Sequence, residues 1–76
     1  MLRFAVCDDD INTINLFEDY FSKINYYKVD YDSFSSGNSL LNYLEKTDSC
    51  YDVYFLDIEM HGKNGLEVAR DIRNIR

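Results

Sequence analysis

Apolar residues along the chain switch between short continuous runs and helical spacing. Leu2-Arg3-Phe4-Ala5-Val6-Cys7 is a nearly unbroken apolar run, the pattern of a strand buried on both faces of a parallel sheet. From Ile11 the period lengthens. Ile14, Phe17, Phe21 and Ile24 fall on one helical face, and Asn12, Asn15, Glu18, Asp19 and Lys23 fill much of the remainder. Asp10 stands where a cap for this helix belongs, and Asn25-Tyr26 marks its exit. Residues 27–34 then alternate, with Tyr27, Val29 and Tyr31 on one side and Lys28, Asp30 and Asp32 on the other, which predicts a half-exposed strand at a sheet edge. Ser35-Ser36-Gly37-Asn38 opens a short helix whose apolar face is Leu40, Leu41 and Leu44, and Thr47-Asp48-Ser49 ends it. Tyr51 to Leu56 is the next strand, and Ile58 to Gly65 a loop. Asn64 with Glu67 spaces a capping box for a last helix whose buried stripe is Val68, Ile72 and Ile75.

The order β-α-β-α-β-α implies an α/β fold with a parallel sheet and right-handed crossovers. In such sheets ligands bind beyond the carboxyl ends of the strands, near a switch in strand order. Two acidic sites lie at such ends. Asp8-Asp9-Asp10 follows the first strand, and Asp57 follows Val53-Tyr54-Phe55-Leu56 and opens Asp57-Ile58-Glu59-Met60-His61-Gly62-Lys63-Asn64-Gly65. If the two strands are neighbours, Asp8, Asp9 and Asp57 converge. Two unit charges about 4 Å apart repel by about 4 kcal/mol at an effective dielectric of about 20. Each acid would raise the others' pKa unless a cation sat among them. Mg²⁺ suits the arrangement, because it takes oxygen ligands, keeps several waters and often uses one or two carboxylates plus a phosphate. A carboxylate neutralised in this way can act as a nucleophile toward phosphorus.

Composition narrows the reading. The 76 residues allow one small domain with a marginal core. With 46% apolar residues the chain is built to fold, and a net charge of −6 argues against this segment gripping nucleic acid. Cys7 and Cys50 form no metal-ligand spacing and no disulfide framework, so reduced thiols are expected. The first apolar run is too short for a signal peptide and no stretch reaches membrane-spanning length, so a cytoplasmic location is expected.

The acidic pair Asp8-Asp9 after the first strand, the Asp57-Ile58-Glu59-Met60 run with Gly65 downstream, Ser35-Ser36-Gly37 before the second helix and Leu66-Glu67-Val68-Ala69 opening the third are specific when taken together and in order. They resemble the receiver domain of two-component response regulators. The Cys7-Asp8-Asp9 opening is similar to regulators whose output is a LytTR-type DNA-binding domain. The resemblance implies a flavodoxin-like three-layer α/β/α fold with strand order two-one-three. It implies that Asp57 accepts phosphate from the phosphohistidine of a sensor histidine kinase, and that the longer protein controls an output at transcription. The chain would then be a regulatory phosphoacceptor and not an enzyme. Asp9 would ligate Mg²⁺ directly and Asp8 through water; Asp57 and the backbone carbonyl of Glu59 would complete the protein ligands. Met60 would pack beneath the loop, and Gly65 would let the loop turn into the third helix.

Two departures from the family pattern matter. His61 stands where the family usually has proline, which frees the loop backbone and adds a titratable group at the pocket mouth. A solvent-exposed loop histidine is the simplest expectation. The second departure is extent. Residues 1–76 match an incomplete receiver, without the last two strands and helices, the Ser/Thr ending strand four and the Lys ending strand five. Lys46 and Lys63 match neither position. This predicts weak phosphorylation, no normal switch, and an apolar sheet edge at Tyr51–Leu56 open to self-association, partner capture or partial unfolding.

Other readings fit less well. Asp8-x-Asp10 echoes a haloacid-dehalogenase-type phosphatase, but Asn12 replaces the expected Thr or Val and the chain is too short. A calcium-binding loop would need Gly at Thr13 and Glu at Asp19. The main alternative is a non-catalytic interaction fragment, with Asp10 a helix cap. The tyrosines (Tyr20, Tyr26, Tyr27, Tyr31, Tyr43, Tyr51, Tyr54) are most simply packing residues, with Tyr26-Tyr27 a candidate interface.

Overall fold

The first strand is the axis of the structure, a computed structural model that describes residues 2–23, 29–48 and 50–75. Expectations placed on Ile24, on the Asn25-Tyr26 exit, on Tyr27-Lys28 and on the Tyr26-Tyr27 interface lie outside the described residues. The elements are β1 (Leu2–Cys7), α1 (Ile11–Ser22), β2 (Val29–Phe34), α2 (Gly37–Lys46), β3 (Val53–Leu56) and α3 (Gly65–Ile75). Both neighbours pair with β1 in parallel, giving the order β2-β1-β3. In this register Cys7 lies opposite Phe34 on one side and Leu56 on the other.

The order explains the layers. The connection from β1 to β2 moves one way across the sheet, and that from β2 to β3 moves back past β1. Crossovers of one hand must then lie on opposite faces. On the α1 face, Phe4 stacks on Phe21 with ring centroids 5.0 Å apart, and Phe17 packs on Phe55 at 4.9 Å. On the other face, Ala5 and Cys7 of β1 join Leu40, Leu41 and Leu44 of α2, Val68 and Ile72 of α3, and Tyr51 in one buried cluster. Ile75 packs against its margin. Burying β1 on both faces is what its nearly unbroken apolar run demands.

The caps expected at Asp10 and at Asn64 with Glu67 form, and Ser36 supplies one for α2 that the residue pattern did not single out. The Asp10 carboxylate accepts the Asn12 N–H at 2.9 Å. The Ser36 hydroxyl accepts the Ser39 N–H at 3.1 Å. Asn64 and Glu67 exchange side-chain-to-backbone bonds of 3.2 and 3.0 Å, a complete capping box.

β3 begins at Val53, two residues later than the apolar run predicts. The reason lies at Asp52. Its N–H donates to the Arg3 carbonyl at 2.8 Å and its carboxylate accepts the Arg3 N–H at 2.8 Å, so a side chain replaces one rung of the ladder. Tyr51 is buried beside it; its hydroxyl donates to Asp32 Oδ2 at 2.6 Å, and the Arg3 guanidinium lies 4.9 Å from its ring centre. The polar side of β2 therefore faces partly inward, and Arg3 lies within 3.7 Å of both Asp30 and Asp32. On β3, Val53 and Phe55 remain 37% and 36% exposed.

Leu44 is fully buried, whereas Leu16 on the outer side of α1 is 70% exposed. Leu44→Ala should cost about 2–5 kcal/mol through the cavity it leaves. That approaches the whole stability of so small a domain. Leu16→Ala should stay within about 0.5 kcal/mol. Urea denaturation followed by circular dichroism measures both.

Candidate acidic site at the strand ends

Hydrogen bonding between strands continues one residue past β1 and β3. The Asp57 N–H donates to the Cys7 carbonyl at 3.0 Å, and the Asp8 N–H donates to the Phe34 carbonyl at 3.1 Å. The acids therefore leave adjacent strands at one level, where the chain's path switches from one side of β1 to the other. One carboxylate oxygen from each of Asp8, Asp9 and Asp57 lies within 4.8 Å of the others. Asp10 is outside this group and caps α1 instead.

Each of the three carboxylates is held by a backbone donor. Asp8 Oδ1 accepts the Asp10 N–H at 2.9 Å, and Asp57 Oδ1 accepts the Glu59 N–H at 3.2 Å. Asp9 Oδ2 accepts the His61 N–H at 2.9 Å and also lies 2.9 Å from His61 Nδ1. Short loops thus fix all three carboxylates with main-chain groups. The Glu59 side chain is exposed, and its N–H is the group that meets Asp57.

The electrostatics follow from these surroundings. Burial pushes the Asp8 carboxyl above the ordinary carboxylate range, and Asp57 adds to the shift; the Asp10 N–H works against it. The bond from the His61 backbone, followed by that to its ring, holds the Asp9 carboxyl below its ordinary value. Burial, with the nearby charges of Asp8, Asp57 and Asp9, raises the Cys7 thiol to about 11, so it stays protonated. Its sulfur lies 3.7 Å from that of Met60, which packs against the core and anchors the loop from below. Cys50 is exposed, and both cysteines are free thiols.

Gly65 carries a constraint different from the turn expected of it. Its φ is not in the left-handed region; among the glycines Gly62, at φ +79°, is there. A Cβ on Gly65 would sit 2.4 Å from the Asp57 carbonyl oxygen and 2.9 Å from its carbon. Only a residue without a side chain lets α3 start this close to the Asp57 backbone. Lys63 is engaged by Asp71 of α3 and is not turned to the acids.

The donor set is all oxygen and all acidic, which fits a hard divalent cation such as Mg²⁺ better than a soft metal. The contact between His61 and Asp9 was not foreseen from the residue pattern, which places His61 at the pocket mouth as a titratable, solvent-exposed loop residue. Its signal is local: a residue other than proline at this position keeps a backbone N–H.

A family model described as the response regulator receiver domain matches residues 4–76. Among solved structures, the crystal structure of histidine kinase ThkA in complex with response regulator protein TrrA matches with a TM-score of 0.81 at 33% identity. The match covers 100% of this chain and 61% of that one, so the chain spans less than two thirds of its neighbour's length. A search of the curated proteins finds no match.

Asp8 yields a test of the site's charge. Its raised pKa means that the folded chain binds more protons than the unfolded chain as pH rises above about 4. Stability contributed by this group is present below that range and lost as pH rises through the folded pKa. Without divalent cations, Asp8→Asn should therefore melt higher than the unsubstituted chain at neutral pH. The gap should shrink as pH falls toward about 4. Thermal melts across this range measure it.

Proposed function

The chain belongs to the response regulator receiver domain family, and from that premise we propose that it is the phosphoacceptor of a two-component signalling system. Asp57 takes a phosphoryl group from the phosphohistidine of a sensor histidine kinase. Asp8, Asp9, Asp57 and the backbone carbonyl of Glu59 would hold Mg²⁺. The observation that carries this reading is the approach of the Asp8, Asp9 and Asp57 oxygens to within 4.8 Å at the ends of β1 and β3. The solved neighbour, a complex of a histidine kinase with a response regulator, supports a kinase as partner. The setting is the cytoplasm, and the consequence in the longer protein is control of transcription.

The chemistry requires a nucleophile, a leaving group and charge compensation. A free Asp57 carboxylate oxygen attacks phosphorus, the bond from phosphorus to the imidazole nitrogen breaks, and its electron pair leaves with the imidazole. The product is an acyl phosphate on Asp57. The Glu59 N–H on Asp57 Oδ1 orients the carboxylate. Bound Mg²⁺ would offset the negative charge of the acids and the phosphoryl oxygens. Asp8, tied to the Asp10 N–H, and Asp9, tied to His61, keep their carboxylates at the pocket. Gly65 and Met60 hold the loop against the core.

Incubation with a small phosphoryl donor and Mg²⁺ should add one phosphoryl group, seen by intact mass and removed by hydroxylamine. Asp57→Asn should give no adduct, and omission of Mg²⁺ should suppress it. An adduct that persists in Asp57→Asn but vanishes in Asp8→Asn would point to the phosphatase chemistry instead.

A second reading, an interaction module that acts without phosphorylation, is favoured by an apolar groove beside the β3 edge. Thr13, Leu16, Phe17, Tyr20, Phe21 and Phe55 line it. In that case copies of the chain pair through β3 and the groove. Sedimentation velocity should then show a concentration-dependent dimer that Phe55→Glu disperses; a monomer at all concentrations rejects this reading.

A further inference from the structure

His61 reaches from the loop after β3 to the end of β1. Its backbone N–H and its ring Nδ1 both meet Asp9 Oδ2, each at 2.9 Å. An ionised carboxylate can only accept, so Nδ1 carries a proton in this contact. The His61 side chain is otherwise fully exposed, at 102%. Packing therefore does not set its rotamer; the bond to Asp9 does. The backbone contact would be made by any residue except proline, whereas the ring contact is particular to histidine.

We infer that His61 is a positioning residue for Asp9, its two donors fixing that carboxylate for a divalent cation. The inference rests on the metal site proposed above. Asp9 is the exposed member of the acidic group; its carboxylate is held chiefly by His61, with a smaller contribution from its own N–H, whereas Asp8 is buried and held by the Asp10 N–H. Without His61 the carboxylate would have to be ordered when the ion binds. With both His61 donors on Oδ2 that ordering is already in place. Outer hydrogen bonds to metal ligands of this kind typically change affinity by about 10–100-fold. For a contact this exposed, and with the backbone donor kept in an alanine variant, the effect falls at or below the low end of that range.

The test is a Mg²⁺ titration of the whole chain at about pH 8, above the ordinary histidine range, followed by amide NMR at residues 8–10 and 57–61. His61→Ala should weaken Mg²⁺ by roughly three- to tenfold. His61→Asn should restore most of the loss, because its side-chain amide nitrogen can occupy the place of Nδ1. His61→Gln, whose nitrogen lies one bond further out, should not. His61→Pro, which lacks both donors, should be weakest. In the metal-free chain, the ring ¹⁵N shifts of His61 should report a protonated Nδ1, and Asp9→Ala should abolish that preference. Equal Mg²⁺ affinity in the unsubstituted chain and His61→Ala overturns the inference alone. A ring tautomer indifferent to Asp9→Ala also overturns it. No Mg²⁺ response in the unsubstituted chain overturns the metal site itself, and the inference with it.

Discussion

The placement of every functional group depends on the pairing of β1 with a parallel neighbour on each side. β1 is buried on both faces, and its hydrogen-bond ladders run to its last residue and one step beyond, into Asp8 on one side and Asp57 on the other. Neither acid could reach the other through local structure, since they are far apart in sequence. Parallel pairing in register makes them neighbours, because it brings the carboxyl ends of two strands to one level. The two-sided core serves the same end. α1 closes one face with aromatic rings, while α2 and α3 close the other with aliphatic side chains.

At that level the fold accepts an electrostatic conflict. Three carboxylates gather where one is buried, and the shift on Asp8 records the cost. Backbone N–H groups from the loops offset part of it by donating to each acid. Such donors fix direction as well as charge, so the acids face one another instead of dispersing into water. This is the arrangement expected of a site that completes itself with a cation and a phosphoryl group, the basis of the proposed function. The approach of α3 to Asp57, which only Gly65 permits, keeps the loop between them short and tied down.

The fold class and the order of elements were legible in the residues, because each element announces itself by period; the two-one-three order of the sheet was implied by the resemblance to receiver domains and not by any period. The nearly continuous run at Leu2–Cys7, the 3.6-residue stripe through Ile14, Phe17 and Phe21, and the caps at Asp10 and Asn64 are local signals. Local signals survive into the structure when packing agrees with them. The start of β3 was less legible. Tyr51 is apolar enough to read as strand, yet its ring is buried through Arg3 and Asp32, and Asp52 interrupts the ladder. Those partners lie on other strands, and no local pattern indicates them.

The sequence by itself determined which residues are apolar and with what period, where helices start, and that acids follow two strand-like runs. These depend on neighbours within a few positions. Tertiary structure alone decided that the acids meet, that Gly65 matters for space and not for a turn, and that His61 spends its donors on Asp9. Each is a contact between segments distant in the chain. Its existence depends on strand register and on how close α3 comes to the sheet, quantities that only the packed molecule sets.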